Sequence, residues 1–414
     1  MVENVKPKFF YGYIVVGAAF FIMLIMGGTL YSFGVFFKPL LTEFGWTRAE
    51  TSGAYSLLLF LHGLLYIVTG RLNDKLGPRI VITTCGFFFG LGYLMMSQIS
   101  AIWQLYLFYG VVIGIGMSGG FVPLVSTIAR WFVKRRGLMT GVAVSGIGAG
   151  AMIMPQVANW LISSYGWRTS YIVVGITALV LIMLAAQFLR RDPSQMGRLP
   201  YGADEVKEES LNLEVGGFSL REAIRTRQLW IYCAMAGSFG LGVQAIMVHI
   251  VPHAIDMGIS AASAASILTI IGAGSLTGRI IMGSVADRIG NKLAYIICFI
   301  LEAGALFWLL AAKELWVLYL FAVVFGFAYG GHVPLSSPII ADLFGMSSHG
   351  VIFGVTTVGV TIGGAIGPLL AGHIFDITNS YYVAFLVCAA VSVVGLILLS
   401  QLRLTSKEGG GNDS

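Results

Sequence analysis

Long apolar runs alternate with short polar breaks along almost the whole chain. A helix needs about 20 mostly apolar residues to cross a bilayer. By that measure the sequence predicts twelve spanning helices, near residues 12–38, 50–70, 79–98, 103–129, 138–163, 167–189, 229–255, 262–284, 292–311, 315–341, 350–375 and 380–402. The expected fold is all-α and polytopic. The longest polar break, residues 190–228, divides the runs into two groups of six. Within it, Ser219 and Glu222 have capping-box spacing, which predicts a short amphipathic helix at the membrane interface, feeding the seventh span. The expected domains are a first six-helix half at 1–190, a cytoplasmic linker at 191–228, a second half at 229–403 and a disordered cytoplasmic tail at 404–414.

The halves repeat. Gly70, Asp74, Gly77 and Arg79 form the pattern G-x-x-x-D-x-x-G-x-basic, which returns as Gly283, Asp287, Gly290 and Lys292, an offset of 213 residues. The same offset carries Gly137, Gly141, Gly146, Gly150 and Pro155 onto Gly350, Gly354, Gly359, Gly363 and Pro368. It also carries Pro39, Glu43, Gly45 and Thr47 onto Pro252, Asp256, Gly258 and Ser260. Six crossings per half give both halves one orientation, so they are parallel repeats about an axis along the membrane normal. Such a pair, with a site between them near the midplane, suits alternating access. Gly146 and Gly359, on the glycine-rich fifth and eleventh spans, are candidates for a moving interface, because small residues let helices approach and slide.

Composition supports the membrane reading. The chain has 414 residues, 57% hydrophobic and only 11% charged, against about 25% charged in ordinary soluble domains. Mean hydropathy is +0.86. A net charge of +6 does not point to nucleic acid. Placement of the charges is more informative. With the N-terminus in the cytoplasm, Lys6, Lys8, Arg71, Lys75, Arg79, the Arg130–Arg136 cluster, Arg288, Lys292, Arg403 and Lys407 fall inside. Only Lys38, Arg48, Arg168 and Lys313 fall outside, so both termini are expected to be cytoplasmic and the protein to lie in the cell membrane. No small-residue cleavage site follows a short apolar core near the N-terminus, so no removable leader is expected. The four cysteines, Cys85, Cys233, Cys298 and Cys388, lie in apolar runs without metal-ligand spacing and read as small buried hydrophobes. The spans contain no HExxH, GxSxG, Asp pair or Cys/His cluster, which argues against an enzyme, a metal site or a cofactor. They also lack the repeated polar rings of a channel.

The duplicated loop resembles the signature of the major facilitator superfamily. The stretch from Trp131 through Lys134, Arg135, Arg136 and Gly141 to Gly146 resembles a second signature, that of the monocarboxylate porter family, and Tyr31 to Lys38 resembles the end of that family's first span. The resemblance covers nearly the whole membrane part. It implies the twelve-helix major facilitator fold, monomeric action, and proton-coupled transport of a small monocarboxylate such as L-lactate or a pyruvate-like acid. A proton-independent organic anion exchanger of the oxalate/formate type is the alternative.

One residue breaks the apolar pattern. Arg279 lies two helical turns deeper than Asp287, about 12 Å at 1.5 Å per residue, near the middle of a hydrocarbon core about 30 Å thick. A cation there costs at least about 2.5–3.5 kcal/mol. Ser275 and Gly283 occupy the positions one turn away, so no acid neutralises it within the helix. Arg279 is therefore expected to face the cavity between the halves, its counter-ion a substrate carboxylate held in the guanidinium fork. No other Lys or Arg lies mid-span, which suits a single negative charge. Members of the resembled family often carry Asp at the position of Ser275. Related oxalate–formate exchangers carry a Lys on the eleventh span, which is absent here, and animal relatives carry a Lys where this chain has Tyr31.

Other polar groups surround this anchor in depth. His249 is expected within reach of a substrate hydroxyl and is also able to change charge; His253 is nearer the surface. Asp256 is a candidate proton carrier or a plain surface acid, as its repeat mate Glu43 suggests. Tyr329, Tyr31 and Tyr66, the last being the repeat mate of Arg279, are candidate phenol donors to a carboxylate. Glu302, His332 and His62 read as packed polar groups between helices. Asp74, Asp287 and Arg79 are expected at cytoplasmic helix ends, biasing the gate or capping.

Overall fold

The computed structural model describes residues 10–132, 135–202, 218–345 and 349–402. Among them are eleven helices long and apolar enough to cross a membrane. They are α1 Gly12–Phe44, α2 Arg48–Leu76, α3 Pro78–Met96, α4 Ile102–Trp131, a continuous stretch Leu138–Ala186, α7 Arg227–Asp256, α8 Ala261–Ala286, α9 Asn291–Leu309, α10 Leu315–Phe344, α11 Val351–Thr378 and α12 Tyr382–Gln401. The long stretch is two crossings. Gly166 has φ 78° and ψ 162°, a conformation outside any helix, and separates α5 (138–165) from α6 (167–186). The count of twelve holds, and the fold is the all-helical one expected. The tail at 404–414, linker residues 203–217, Lys6 and Lys8 lie outside the described residues, as does the side chain of Asp287. The short helix before α7 is present at Leu220–Ile224, closed by the reciprocal Ser219–Glu222 capping box. Backbone and hydroxyl donors of Ser219 hold the Glu222 carboxyl below its ordinary range.

The sequence repeat is a structural repeat. Gly45 and its mate Gly258 both end helices with positive φ, at 67° and 86°. Gly77 and Gly290, with φ 83° and 88°, make the same turn after α2 and α8. Thr47 caps α2 through Glu50, and Ser260 caps α8 through Ser263. The close helix contacts repeat too. A Cβ on Gly146 would meet the Phe20 carbonyl at 2.3 Å, and one on its mate Gly359 would meet the Cys233 carbonyl at 2.5 Å. Gly150 against Leu24 and Gly363 against Gly237 form the next turn of each contact. In lipid there is little hydrophobic force between helices, so such backbone approach is a main source of packing energy.

These contacts correct one expectation. Gly146 and Gly359 join α5 to α1 and α11 to α7, so they bind each half together internally rather than line the boundary between halves. The boundary runs along two seams, α2 with α11 and α5 with α8, and the end of α1 also meets α7. Gly148 packs on Leu276, Gly272 on Ala151 and Met152, and Gly372 on Arg48 and Ser52. Six crossings per half put the linker and the ends of the helical region on one face, here the linker face. The turns at Gly45, Gly166 and Gly258 lie on the far face.

Candidate functional site

Arg279 lies on α8 where that helix is squeezed between both neighbours. Gly278 and Gly274 bring it against the α10 backbone at Phe327 and Val323, and Gly272 brings it against α5. The side chain is half-buried. Its Nη1 donates to the Val144 carbonyl of α5 at 2.8 Å, a bond that crosses between the halves. Its Nε is buried with no acceptor. Among the described residues no carboxylate pairs with it, and Ser275 Oγ, one turn away, is also buried and unpartnered. A guanidinium offers five donors; among the described residues one of them is used.

Two tyrosines meet across the halves. The Tyr31 and Tyr329 hydroxyls lie 2.9 Å apart and join α1 of the first half to α10 of the second. Both are nearly buried, at 7% and 8% exposure, and Tyr31 lies within reach of the Arg279 charge. Tyr31 is placed at a break in α1, where the Ser32 hydroxyl turns back onto the Gly28 carbonyl at 2.8 Å; such back-bonding bends helices. Phe239 of α7 stacks on Tyr329 with ring centres 6.3 Å apart. Tyr66 is half-buried on α2, its ring 5.0 Å from His62 and 6.3 Å from Phe121, and its hydroxyl has no partner among the described residues. The His62 ring is itself bonded to the Leu58 carbonyl at 3.1 Å.

His249 and Asp256 belong to a different structure, a polar seal toward the far face. Asp256 of α7 takes Lys38 of α1 at 2.6 Å and also Arg48 of α2. Arg48 is 7% exposed, donates to the Tyr381 hydroxyl, and lies over the Phe375 ring at 3.6 Å. The backbone nitrogens of Arg48 and Ala49 bond to Asp376 of α11 at 2.9 and 2.7 Å. His249 is fully buried behind this cluster, with Nδ1 2.9 Å from the Tyr381 hydroxyl and Nε2 2.8 Å from the Pro368 carbonyl. Both ring nitrogens are taken, so His249 has none to offer a substrate in this conformation. Asp256 likewise is committed to two cations, Lys38 and Arg48. In this conformation Asp256 ties the second half to the first, whereas the hydrogen bonds of His249 stay within the second half. His253 is also here, edge-on to Tyr381 and Phe385. Glu43, the repeat mate of Asp256, pairs with Arg168 and with Trp167 at 2.6 Å inside its own half.

On the linker face, Asp74 pairs with Arg130, and Arg79 donates to Gln187 at 2.7 Å, both within the first half. Sequence reasoning missed Arg48, Asp376 and Tyr381. Arg48 and Asp376 lie near far-face helix ends, where charge is ordinary, and none has a repeat pattern that marks it.

The family model described as Major Facilitator Superfamily matches residues 19–275 and again 238–413. The chain is similar to monocarboxylate transporter 13 of Rattus norvegicus, 29% identical over 93% of this chain and 87% of that one. It is similar to monocarboxylate transporter 11 of Homo sapiens, 26% identical over 93% of this chain and 81% of that one. Escherichia coli (strain K12) has an uncharacterized MFS-type transporter, YhjX, 24% identical over 81% of this chain and 82% of that one. Among solved structures, a bacterial homolog of the human lysosomal transporter Spinster, in an inward-facing and occupied conformation, superposes with TM-score 0.73 at 16% identity, covering 95% of this chain and 97% of that one. With both repeats in place and the family match spanning both halves, this chain belongs to the Major Facilitator Superfamily and is a multi-pass membrane transporter.

Proposed function

We propose that the protein carries a small monocarboxylate, of the L-lactate or pyruvate-like class, across the cell membrane together with one proton by alternating access. The observation that carries this reading is the state of Arg279: a cation between the halves, with open donors and, among the described residues, no carboxylate as counter-ion. A single planar cation suits a single carboxylate, held bidentately. Tyr31, Tyr329 and Tyr66 supply phenol donors around it. The names of the monocarboxylate transporter relatives support the same substrate class.

With the linker and both termini in the cytoplasm, the sealed far face is extracellular and the conformation is inward-facing. Asp256 and His249 then act on the gate, and Asp74, Asp287 and Arg79 bias its cytoplasmic side. Anion and proton together add no net charge to a site that already holds a cation. The loaded carrier rocks between states only as far as its ligands bind the two states differently. Gradient-driven uptake of labelled L-lactate into proteoliposomes tests this. Wild type accumulates lactate when the lumen is alkaline, and Arg279→Gln does not. Flux that requires a counter-anion and ignores the pH gradient would instead identify an anion exchanger, and normal accumulation by Arg279→Gln would refute the anchor.

A further inference from the structure

Glu302 of α9 is buried to 0% exposure inside the second half, and neither carboxyl oxygen has a hydrogen-bond partner among the described residues. His332 of α10, 1% exposed, faces it with Nε2 3.7 Å from Oε2. The other ring nitrogen, Nδ1, lies 2.8 Å from the Ala328 carbonyl. A carbonyl only accepts, so Nδ1 carries the ring proton and, in the neutral ring, Nε2 is left with a bare lone pair. An ionised Glu302 would then set acceptor against acceptor with no donor between them.

The surroundings offer no remedy. Phe239 stacks on the His332 ring at 4.4 Å, and Phe299 and Tyr295 meet it edge-on at 4.7 and 4.9 Å. Gly242 of α7 lies against Glu302 Oε1. The titratable groups around the pair are Tyr295 and Cys298 on α9, Tyr329 on α10, Cys388 on α12 and, behind Tyr295, Tyr232 on α7. No Lys, Arg or further acid is paired with either residue among those described. An isolated buried carboxylate is among the most costly groups a protein interior can hold. One added proton, forming an O–H on Glu302 or an N–H on His332 Nε2, supplies the missing donor and leaves the pair with no net charge.

We propose that Glu302 and His332 together form a proton-binding site inside the second half, linked to the Arg279 site through Phe239, which stacks on both His332 and Tyr329. The inference rests on the proposed symport and names where its proton is held. Losing the proton leaves net negative charge against the α7 backbone at Gly242 and one aromatic contact from Tyr329. Tyr329 in turn bonds Tyr31 across the halves, so the proton's presence and the joining of the halves share one set of side chains.

The test is a comparison of two fluxes in proteoliposomes holding the full chain: lactate accumulation driven by a pH gradient, and lactate exchange at equal pH. Wild type performs both. Glu302→Gln, which stays neutral at every pH, keeps exchange and loses accumulation, and His332→Gln shows the same split; Glu302→Asp, which keeps a carboxyl, retains accumulation. Each variant is first shown to be monodisperse, and either one recovered folded decides the matter. Accumulation undiminished in both variants overturns the pair while leaving the symport reading intact. Loss of exchange along with accumulation assigns the pair to structure alone and also overturns it. Wild type that exchanges lactate yet ignores the gradient overturns the symport reading itself, and the pair with it.

Discussion

Arg48 and Asp256 belong to different halves, and their ion pair ties the start of α2 to the end of α7 at the far face. Lys38 adds a second cation to the same carboxylate, and Asp376 holds the Arg48 backbone. Opening the far face must break all of these bonds together. Asp256→Asn leaves the nearly buried Arg48 without its counter-charge, a loss on the order of 1–3 kcal/mol. That shifts the balance between open and closed states by about 5–150-fold. Spin labels at Thr42 and Ile377 should report a longer, broader distance distribution in this variant. An unchanged distribution would mean the ion pair contributes nothing to closure.

Arg279 is expected to need its fork as well as its charge. Arg279→Lys keeps the cation but loses bidentate geometry. Charge-assisted hydrogen bonds are worth about 1.5–3 kcal/mol, so the half-saturating lactate concentration should rise by roughly tenfold or more. Uptake kinetics across a lactate series measure it, and equal kinetics for Lys and Arg would argue for a point-charge role.

The Tyr31–Tyr329 contact makes a non-additive prediction. Tyr31→Phe and Tyr329→Phe each remove the same 2.9 Å bond. Each should change the binding or opening free energy by about 0.5–1.5 kcal/mol. The double variant should cost little more than either single one, because partners in one bond are coupled. Transport rates and lactate affinity for the three variants close the cycle; full additivity would show that the hydroxyls act separately.

Glycine packing predicts a sharp contrast on α11. A Cβ on Gly363 would lie 1.9 Å from the Gly237 carbonyl, whereas one on Gly354 meets nothing within 4 Å. Gly363→Ala should destabilise the protein by about 1–3 kcal/mol or more, and Gly354→Ala should be neutral or slightly stabilising. Thermal unfolding in detergent distinguishes them, and similar midpoints for both would contradict the close approach.

The twelve crossings were legible because lipid forces every backbone polar group into helical bonds, leaving length and apolarity as the signal. The repeat extended this to detail: Thr47 and Ser260 both cap, and Gly77 and Gly290 both turn. Arg279 stood out because a charge at that depth is rare. For His249, helical spacing gives its depth but not that Tyr381 and Pro368, more than a hundred residues further along the chain, occupy both ring nitrogens. Gly146 and Gly359 show the same limit, since a small residue announces a close neighbour without saying which one. The Glu302–His332 pair joins two helices, and nothing in either local stretch indicates that their side chains meet.

Gly166 joins α5 to α6 through a single non-helical residue, and the other far-face connections are five residues or fewer. That surface is consequently almost devoid of loops. A protease working from that side finds no strand of chain long enough to thread through its cleft. An antibody or toxin would have to recognise a mosaic of helix tips from both halves, a target that exists only while those tips are held together.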